Sequence, residues 1–339
     1  MKPFRSPARA PLPPYVYCCV DRSALTAWIA RVIAPRVERL LPERWSANTI
    51  TGVGSGLMWV LLAGVVAAPA GLRERLGLIW AALLCAYCVL DHVDGCRARL
   101  RRTSGAWGEY LDHALDAWHT AILVVVLVVV GGPAMRPGVA ALALAAAGIA
   151  TVATWLDQKW RGELRLGHLG PVEAVVLGCL YLSSWQLPAA PDWWRAPLWP
   201  MGGWTRAEAF FLAGALGSLA TAFAAVGRSP GQLGRLACFA AVAVVLVVSG
   251  AGGASGWLVW SALSLLIVES TARIIVSHLT HGTAPWPDWV GAALVAGAVI
   301  WPGTGGVFPA AALLWLGGRT GLAWWRATVT LRRAPAANP

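Results

Sequence analysis

Apolar runs close to twenty residues long, each bounded by a short polar or charged segment, recur along the chain from residue 49 onward. A helix needs about 20 apolar residues to cross a bilayer core. The runs at 49–69, 76–96, 109–131, 137–156, 171–188, 208–227, 233–250, 255–277, 288–302 and 306–323 fit that requirement. The pattern predicts an all-α polytopic membrane protein with ten transmembrane helices. The last two runs are short and separated by "PGTGG", so they read as one re-entrant pair or two tight crossings.

A different pattern precedes the first run. In "SALTAWIARVIAPRVERLL", Leu25, Trp28, Ile29, Val32, Ile33, Val37, Leu40 and Leu41 recur at helical spacing, and Arg31, Arg36 and Arg39 take the opposite face. This predicts an amphipathic helix lying in the membrane interface, kinked or broken at Pro35; an amphipathic helix packed on protein is the alternative. The Trp-rich "PAAPDWWRAPLWPMGGW" (188–204) suits the opposite interface, where indoles prefer to sit. The chain divides into an N-terminal segment (1–47), a six-span core (48–227), four additional spans (228–325) and a tail (326–339).

Composition agrees with this reading. Of the 339 residues, 58% are hydrophobic and 13% charged, against about 25% charged in soluble domains. The net charge of +11 does not point to nucleic acid, because the basic residues are scattered over short loops, which suits anionic lipid headgroups. With both termini in the cytoplasm, 20 Lys/Arg fall on the inner side and five on the outer, a strong positive-inside bias. Arginine far outnumbers lysine in an Ala-, Gly- and Pro-rich chain, so a bacterial inner membrane is expected. The first 45 residues hold no early apolar core with a cleavage site, so the spans direct insertion. Seven cysteines form no metal or disulfide framework; Cys85 and Cys88 lie inside a span as packing residues.

One stretch breaks the apolar pattern. "LDHVDGCRARLRRTSGAWGEYLDHALDAW" (Leu90–Trp118) sits at the cytoplasmic mouth of spans two and three and is crowded with charge. Asp91 and Asp94 are three residues apart, Asp112 and Asp116 four apart, so each pair shares a helical face. A loop of about a dozen residues would let the pairs converge. One Asp in a membrane helix costs roughly 2.5–3.5 kcal/mol, and four converging carboxylates repel one another unless cations lie between them. Mg²⁺ answers this, since it prefers oxygen ligands and is held by a few carboxylates plus substrate phosphates. Gly95, Ala98 and Gly108 leave room for a ligand against the backbone. Arg99 offers a planar fork for phosphate oxygens. Together they suggest a diphosphate substrate; a merely solvated charged loop is the bland alternative.

The stretch "DHVDGCRARLRRTSGAWGEYLDHALD" (91–116) resembles the signature of the CDP-alcohol phosphotransferase family, D-x2-D-G-x2-A-R-x8-G-x3-D-x3-D. All eight fixed letters are matched, at Asp91, Asp94, Gly95, Ala98, Arg99, Gly108, Asp112 and Asp116. The resemblance implies transfer of a phosphoalcohol or phosphatidyl group from a CDP-linked donor to an alcohol, with release of CMP. It also implies two divalent cations, Mg²⁺ or Mn²⁺, held by the four aspartates. Further matches resemble the choline/ethanolamine phosphotransferase branch: "YVYCCVDRSAL" (15–25), "RWSANTIT" (44–51), "GEYLDHALDA" (108–117), "LRLGHLGPVEA" (164–174) and "RIIVSHLT" (273–280). "RWSANTIT" lacks the branch's proline and is one residue shorter, and "GCRAR" stands where "GKQAR" is usual. The branch resemblance implies a CDP-alcohol donor, a diacylglycerol-like acceptor entering from the bilayer, a homodimer, and Asn48 beside the nucleotide.

Two residues are candidates for the base that takes the acceptor's proton. Asp116 is one, although a metal-bound carboxylate is a poor base. His113 is better placed in pKa and lies beside Asp112. The resemblance implies that Glu173, in "GPVEA", pairs with His113 and stabilises its imidazolium; capping a helix N-terminus is the other reading of Glu173. His278 has a family match without a derivable chemical role. Two rivals accompany the leading reading: CDP-diacylglycerol as donor to a small alcohol, and a ten-span ion-coupled transporter, which would call for interrupted helices near the bilayer midplane.

Overall fold

The computed structural model describes residues 15–132, 135–199, 203–237, 241, 256–301 and 306–332. The chain opens with strand β1 (Cys19–Asp21) and the short helices α1 (Ala24–Trp28) and α2 (Ala34–Glu38), joined by a π-helical turn at Ile29–Ile33. Ser23 caps α1 by accepting from the Thr26 N–H at 2.9 Å. The irregularity expected at Pro35 falls one turn earlier. Pro35 itself occupies the first turn of α2, where no intrahelical donor is needed. The segment packs on protein along one side. Ala34 packs with Ile50, Val93 and Cys96, while Trp28 and Leu40 stay exposed.

The helices that follow are α3 (Ala47–Ala67), α4 (Ala70–Arg75), α5 (Gly77–Leu100), α6 (Ala106–Gly131), α7 (Pro137–Arg161), α8 (Pro171–Ser184), α9 (Ala190–Arg195), α10 (Arg206–Arg228), α11 (Gly256–Leu279), α12 (Trp289–Ile300) and α13 (Val307–Leu331). The fold is all-α and polytopic. Among the described residues α3, α5, α6, α7, α10 and α11 are long and apolar enough to cross a membrane. The expected fifth span is a 14-residue helix, α8, and the expected ninth a 12-residue one, α12. The 25-residue α13 holds the tenth. Most of the expected seventh, 233–250, lies outside the described residues.

Two apolar clusters knit the helices together. One joins α3, α5, α6 and α8; the other joins α6, α7, α11 and α13. Glycine sets the closest crossing. A Cβ at Gly77 would lie 2.1 Å from the Leu182 carbonyl oxygen of α8, and a backbone atom cannot swing aside as a side chain can. Gly77→Ala is therefore expected to lower stability by about 1–3 kcal/mol, the usual cost of overpacking, read by thermal unfolding in detergent.

The charged stretch departs from expectation in its helix ends. α5 runs on to Leu100 and α6 begins at Ala106, so the connection is residues 101–105 rather than a dozen. Arg102 takes the left-handed conformation (φ 54°). Around it, Thr103 N–H donates to the Ala98 carbonyl at 2.9 Å and Arg102 N–H to that of Arg99 at 3.2 Å. That is a Schellman stop with arginine where glycine is usual. Gly95, Ala98 and Arg99 thus ride on the last turns of α5, and Gly108 on the first turn of α6. α7 stops at left-handed Gly162. The chain then forms β2 (Leu164–Leu166), which pairs in parallel with β1. This ribbon, unforeseen from the apolar pattern, ties the N-terminal segment across the end of the bundle where the aspartates sit.

Candidate active site

The aspartates are positioned by α5 and α6 and braced from α3. Asp94 is buried and accepts a hydrogen bond from Thr51 Oγ1 at 2.5 Å. Asp116 accepts from Tyr87 Oη at 3.2 Å. Asp91 is about a third exposed, 3.8 Å from His92 Nδ1. Asp112 has one carboxylate oxygen, Oδ1, buried without any partner. The four lie within electrostatic range of one another, so the two pairs do converge as their spacing predicts. Asp112, His113 and Asp116 bring ligand atoms within 4.8 Å of one another. A buried, unpartnered carboxylate oxygen inside an acidic cluster is the donor set of a hard divalent cation, and the residues fit Mg²⁺ or Mn²⁺.

Behind Asp116 lies a network that the motif does not contain. His119 Nε2 meets Ser55 Oγ at 2.9 Å and its Nδ1 meets Tyr87 Oη at 3.0 Å. With a neutral His119 one proton arrangement satisfies every bond: Ser55 donates to Nε2, the Nδ1–H donates to Tyr87, and Tyr87 donates to Asp116. Partners of this kind orient a ligating carboxylate, and their loss typically costs 10–100-fold in activity or metal affinity. Tyr87→Phe should therefore reduce turnover by about that factor and raise the Mg²⁺ concentration needed for half-maximal rate. An unchanged metal requirement would remove the network from the site. His119 stands three residues after Asp116 and Tyr87 four before Asp91, helical spacings that could have marked both.

His113 is buried, with Nδ1 3.5 Å from Asp116 Oδ2 and 3.6 Å from Asp112 Oδ2. Its ring lies between Trp155, at 4.5 Å between centroids, and Tyr17, at 6.1 Å. Glu173 is engaged elsewhere. One carboxylate oxygen accepts from the Gly170 N–H at 2.7 Å, capping α8, and the other accepts from Ser23 Oγ. No hydrogen bond or ion pair joins Glu173 to His113 among the described residues. Another acid on the His113 face of α6 is Glu109, one turn earlier, buried and accepting from Gln158 Nε2 at 3.2 Å. Burial and the Glu109 carboxylate push the Tyr15 hydroxyl well above the usual phenol range, so it stays protonated as a donor to Glu109.

The expected nucleotide contacts form two neighbouring groups. The Arg99 guanidinium folds over Gly95, where an added Cβ would lie 3.1 Å from Nη1. Asn48 Oδ1 reaches from α3 to Gly108, 3.5 Å from the position of a Cβ there. Ala98 is half-buried between them in sequence. Arg97, which a loop reading puts in solvent, is 1% exposed. All five of its N–H donors are used: Nε on Glu38 Oε1 at 2.9 Å, Nη1 on the Pro42 and Trp45 carbonyls at 2.8 Å, and Nη2 on the Glu38 and Leu41 carbonyls at 2.9 and 3.4 Å. The N-terminal segment is thus fastened at Arg97, at Glu173 and along β2, and it lays Tyr17 over His113.

Comparison with protein families finds a match to the model of CDP-alcohol phosphatidyltransferase over residues 44–213, half of the chain and all four aspartates. No curated protein matches.

Proposed function

The chain belongs to the CDP-alcohol phosphatidyltransferase family, and from that premise we propose that it moves phosphocholine or phosphoethanolamine from a CDP-alcohol to a diacylglycerol-like lipid. The family makes it a transferase of phospholipid synthesis that uses a CDP-alcohol donor and a lipid acceptor. The narrower reading is supported by His113 standing against Asp112 and Asp116, in a histidine-bearing signature like that of the choline/ethanolamine branch.

In this reading Asp91, Asp94, Asp112 and Asp116 hold two divalent cations, Mg²⁺ or Mn²⁺. When bound, these neutralise charge on the diphosphate and on departing CMP. Asn48, Gly95, Ala98, Arg99 and Gly108 cradle the nucleotide diphosphate, with Arg99 swinging from Gly95 to the phosphate oxygens. The acceptor hydroxyl oxygen bonds to the phosphorus that carries the choline or ethanolamine. The bridging P–O bond breaks, CMP leaves with that electron pair, and the hydroxyl proton passes to His113. Asp116, bonded to Tyr87 and flanked by His119, is the weaker candidate for that proton. Glu173 acts at one remove, holding Ser23 and with it the segment that places Tyr17 on His113. The lipid enters sideways between spans at the cytoplasmic leaflet of a bacterial inner membrane, in a homodimer.

The test is CMP release by purified protein from CDP-choline or CDP-ethanolamine with diacylglycerol, in Mg²⁺ and after chelation. Release that depends on diacylglycerol and stops with EDTA is the expected result. Release only from CDP-diacylglycerol plus a small alcohol would reverse donor and acceptor, and no release from any pair would end the proposal.

A further inference from the structure

The donor of the proposed reaction ends in a cationic group, and no residue assigned so far receives it. Among the acids near His113, Asp91, Asp94, Asp112 and Asp116 form the acidic cluster, and Glu173 caps α8. Glu109 is left. It stands three residues before Asp112 and four before His113, so the three share a helical face, and it is 7% exposed. Its two donors, Gln158 Nε2 at 3.2 Å and the Tyr15 hydroxyl, are both neutral. Among the described residues no Lys, Arg or His lies within ion-pair distance of it. His278 of α11 feels its charge without pairing to it. A buried carboxylate that no cation balances is costly, and one kept beside a catalytic cluster asks for a cationic partner.

The surroundings describe that partner. The Tyr17 ring stacks on His113 at 6.1 Å between centroids and an interplanar angle of 29°, and it is 43% exposed. Tyr15 and Tyr17 both come within electrostatic range of Glu109 and Asp112. The N-terminal segment therefore lays an open aromatic face beside both carboxylates. A quaternary ammonium has no N–H and is held by aromatic faces. A primary ammonium needs acceptors for three donors, and Glu109 already accepts two bonds. In a phosphocholine the nitrogen stands four bonds from the phosphorus, a reach of roughly 5 Å, one helical turn. Phosphorus at Asp112 and Asp116 thus leaves the headgroup at the level of Glu109.

We propose that the donor's headgroup is a quaternary ammonium resting on the Tyr17 face with Glu109 as its counter-charge, and that these two residues make the protein prefer CDP-choline to CDP-ethanolamine. This rests on the transfer reading and narrows its donor. Tyr15 and Gln158 act through Glu109, as positioning residues that hold its carboxylate in place.

The test is calorimetric binding to the full-length protein in detergent with Mg²⁺ and no acceptor lipid. The probes are CDP-choline, CDP-ethanolamine and CDP-glycerol, whose headgroup is uncharged. CDP-choline should bind at least about tenfold more tightly than CDP-glycerol and about threefold more tightly than CDP-ethanolamine. Glu109→Gln should reduce the first ratio to below about threefold while CDP-glycerol binds as before. Tyr17→Leu should do the same, and Tyr17→Phe, which keeps the aromatic face, should not. Where Glu109→Gln does not fold, the two Tyr17 variants carry the test. Equal losses for all three donors in Glu109→Gln and Tyr17→Leu would make both residues structural and overturn the assignment. So would wild-type protein that binds CDP-ethanolamine or CDP-glycerol as tightly as CDP-choline. CMP release from CDP-ethanolamine and diacylglycerol without a choline preference would keep the transfer reaction and end this inference. A choline preference in binding without CMP release would do the reverse.

Discussion

Asp112→Ala should abolish transfer, by at least about 10³-fold, while leaving the protein as stable as before or slightly more so. The two halves of that result come from one observation. Asp112 Oδ1 is buried and bonded to nothing, and Oδ2 has only His113 at 3.6 Å, so its removal orphans no donor. It also takes a negative charge away from Asp91, Asp94 and Asp116, which repel it in the absence of a cation. Asp94 makes the contrast. It accepts from Thr51 at 2.5 Å, so Asp94→Ala removes the bond between α5 and α3. The Thr51 hydroxyl is left only the Ala47 carbonyl of its own helix, at 3.2 Å, a loss of about 1.5–3 kcal/mol for a hydrogen bond to a charged group. CMP release and Tm measured together on both variants separate a carboxylate kept for chemistry from one that also holds helices together. An Asp112→Ala protein that keeps a tenth of its turnover, or loses several degrees of Tm, would contradict this account.

Much of the fold was legible because a bilayer makes a simple demand. The runs at 49–69, 76–96, 109–131, 137–156 and 208–227 each became a helix of crossing length with ends displaced by a few residues. Helix ends were the weak point, because the apolar pattern stops where the membrane stops and the helix does not. α5 carries on through Arg97 and Arg99, since helical backbone tolerates arginine as well as leucine. The dozen-residue loop shrank to five for that reason. The aspartates were legible because three- and four-residue spacings determine a helical face regardless of where the helix ends. Their bracing was legible only in part: Tyr87 and His119 stand at helical spacing from Asp91 and Asp116, whereas Thr51 and Ser55 come from another helix and only packing brings them in. Glu173 could be read two ways from its position, and its capping bond to Gly170 is the one that local backbone geometry alone could supply.

The least legible residue is Arg97, and replacing it should cost the fold more than any other single change considered. A charge count assigns it to the cytoplasmic surface, among Arg99, Arg101 and Arg102. It is instead a fully buried cation whose five donors end on Glu38 and on the carbonyls of 38–45. Those carbonyls lie where the chain leaves α2 and turns into α3; Glu38 and Pro42 each also accept a turn N–H, from Leu41 at 3.2 Å and Trp45 at 3.0 Å, and Trp45 accepts from Arg101 at 3.4 Å. Arg97→Ala strands the Glu38 carboxylate and the Leu41 carbonyl and loosens three more carbonyls, and removing one partner of a buried ion pair typically costs about 3–5 kcal/mol. Arg97→Lys should recover only part of this, since an ammonium has three donors on a point charge and cannot match the planar fork. The damage should be directional. α2 and the turn to Trp45 come free first, exposing 38–45 to protease while the spans stay inserted. Turnover should fall with that release, because the same segment carries Ser23 to Glu173 and Tyr17 to His113. If Arg97→Ala loses less than about 1 kcal/mol and 38–45 stays protected, the segment is held by its apolar face on Ile50, Val93 and Cys96 alone. Proteolysis then separates the two cases, because an apolar hold would weaken in Ala34→Asp and survive in Arg97→Ala, whereas a polar tether does the reverse.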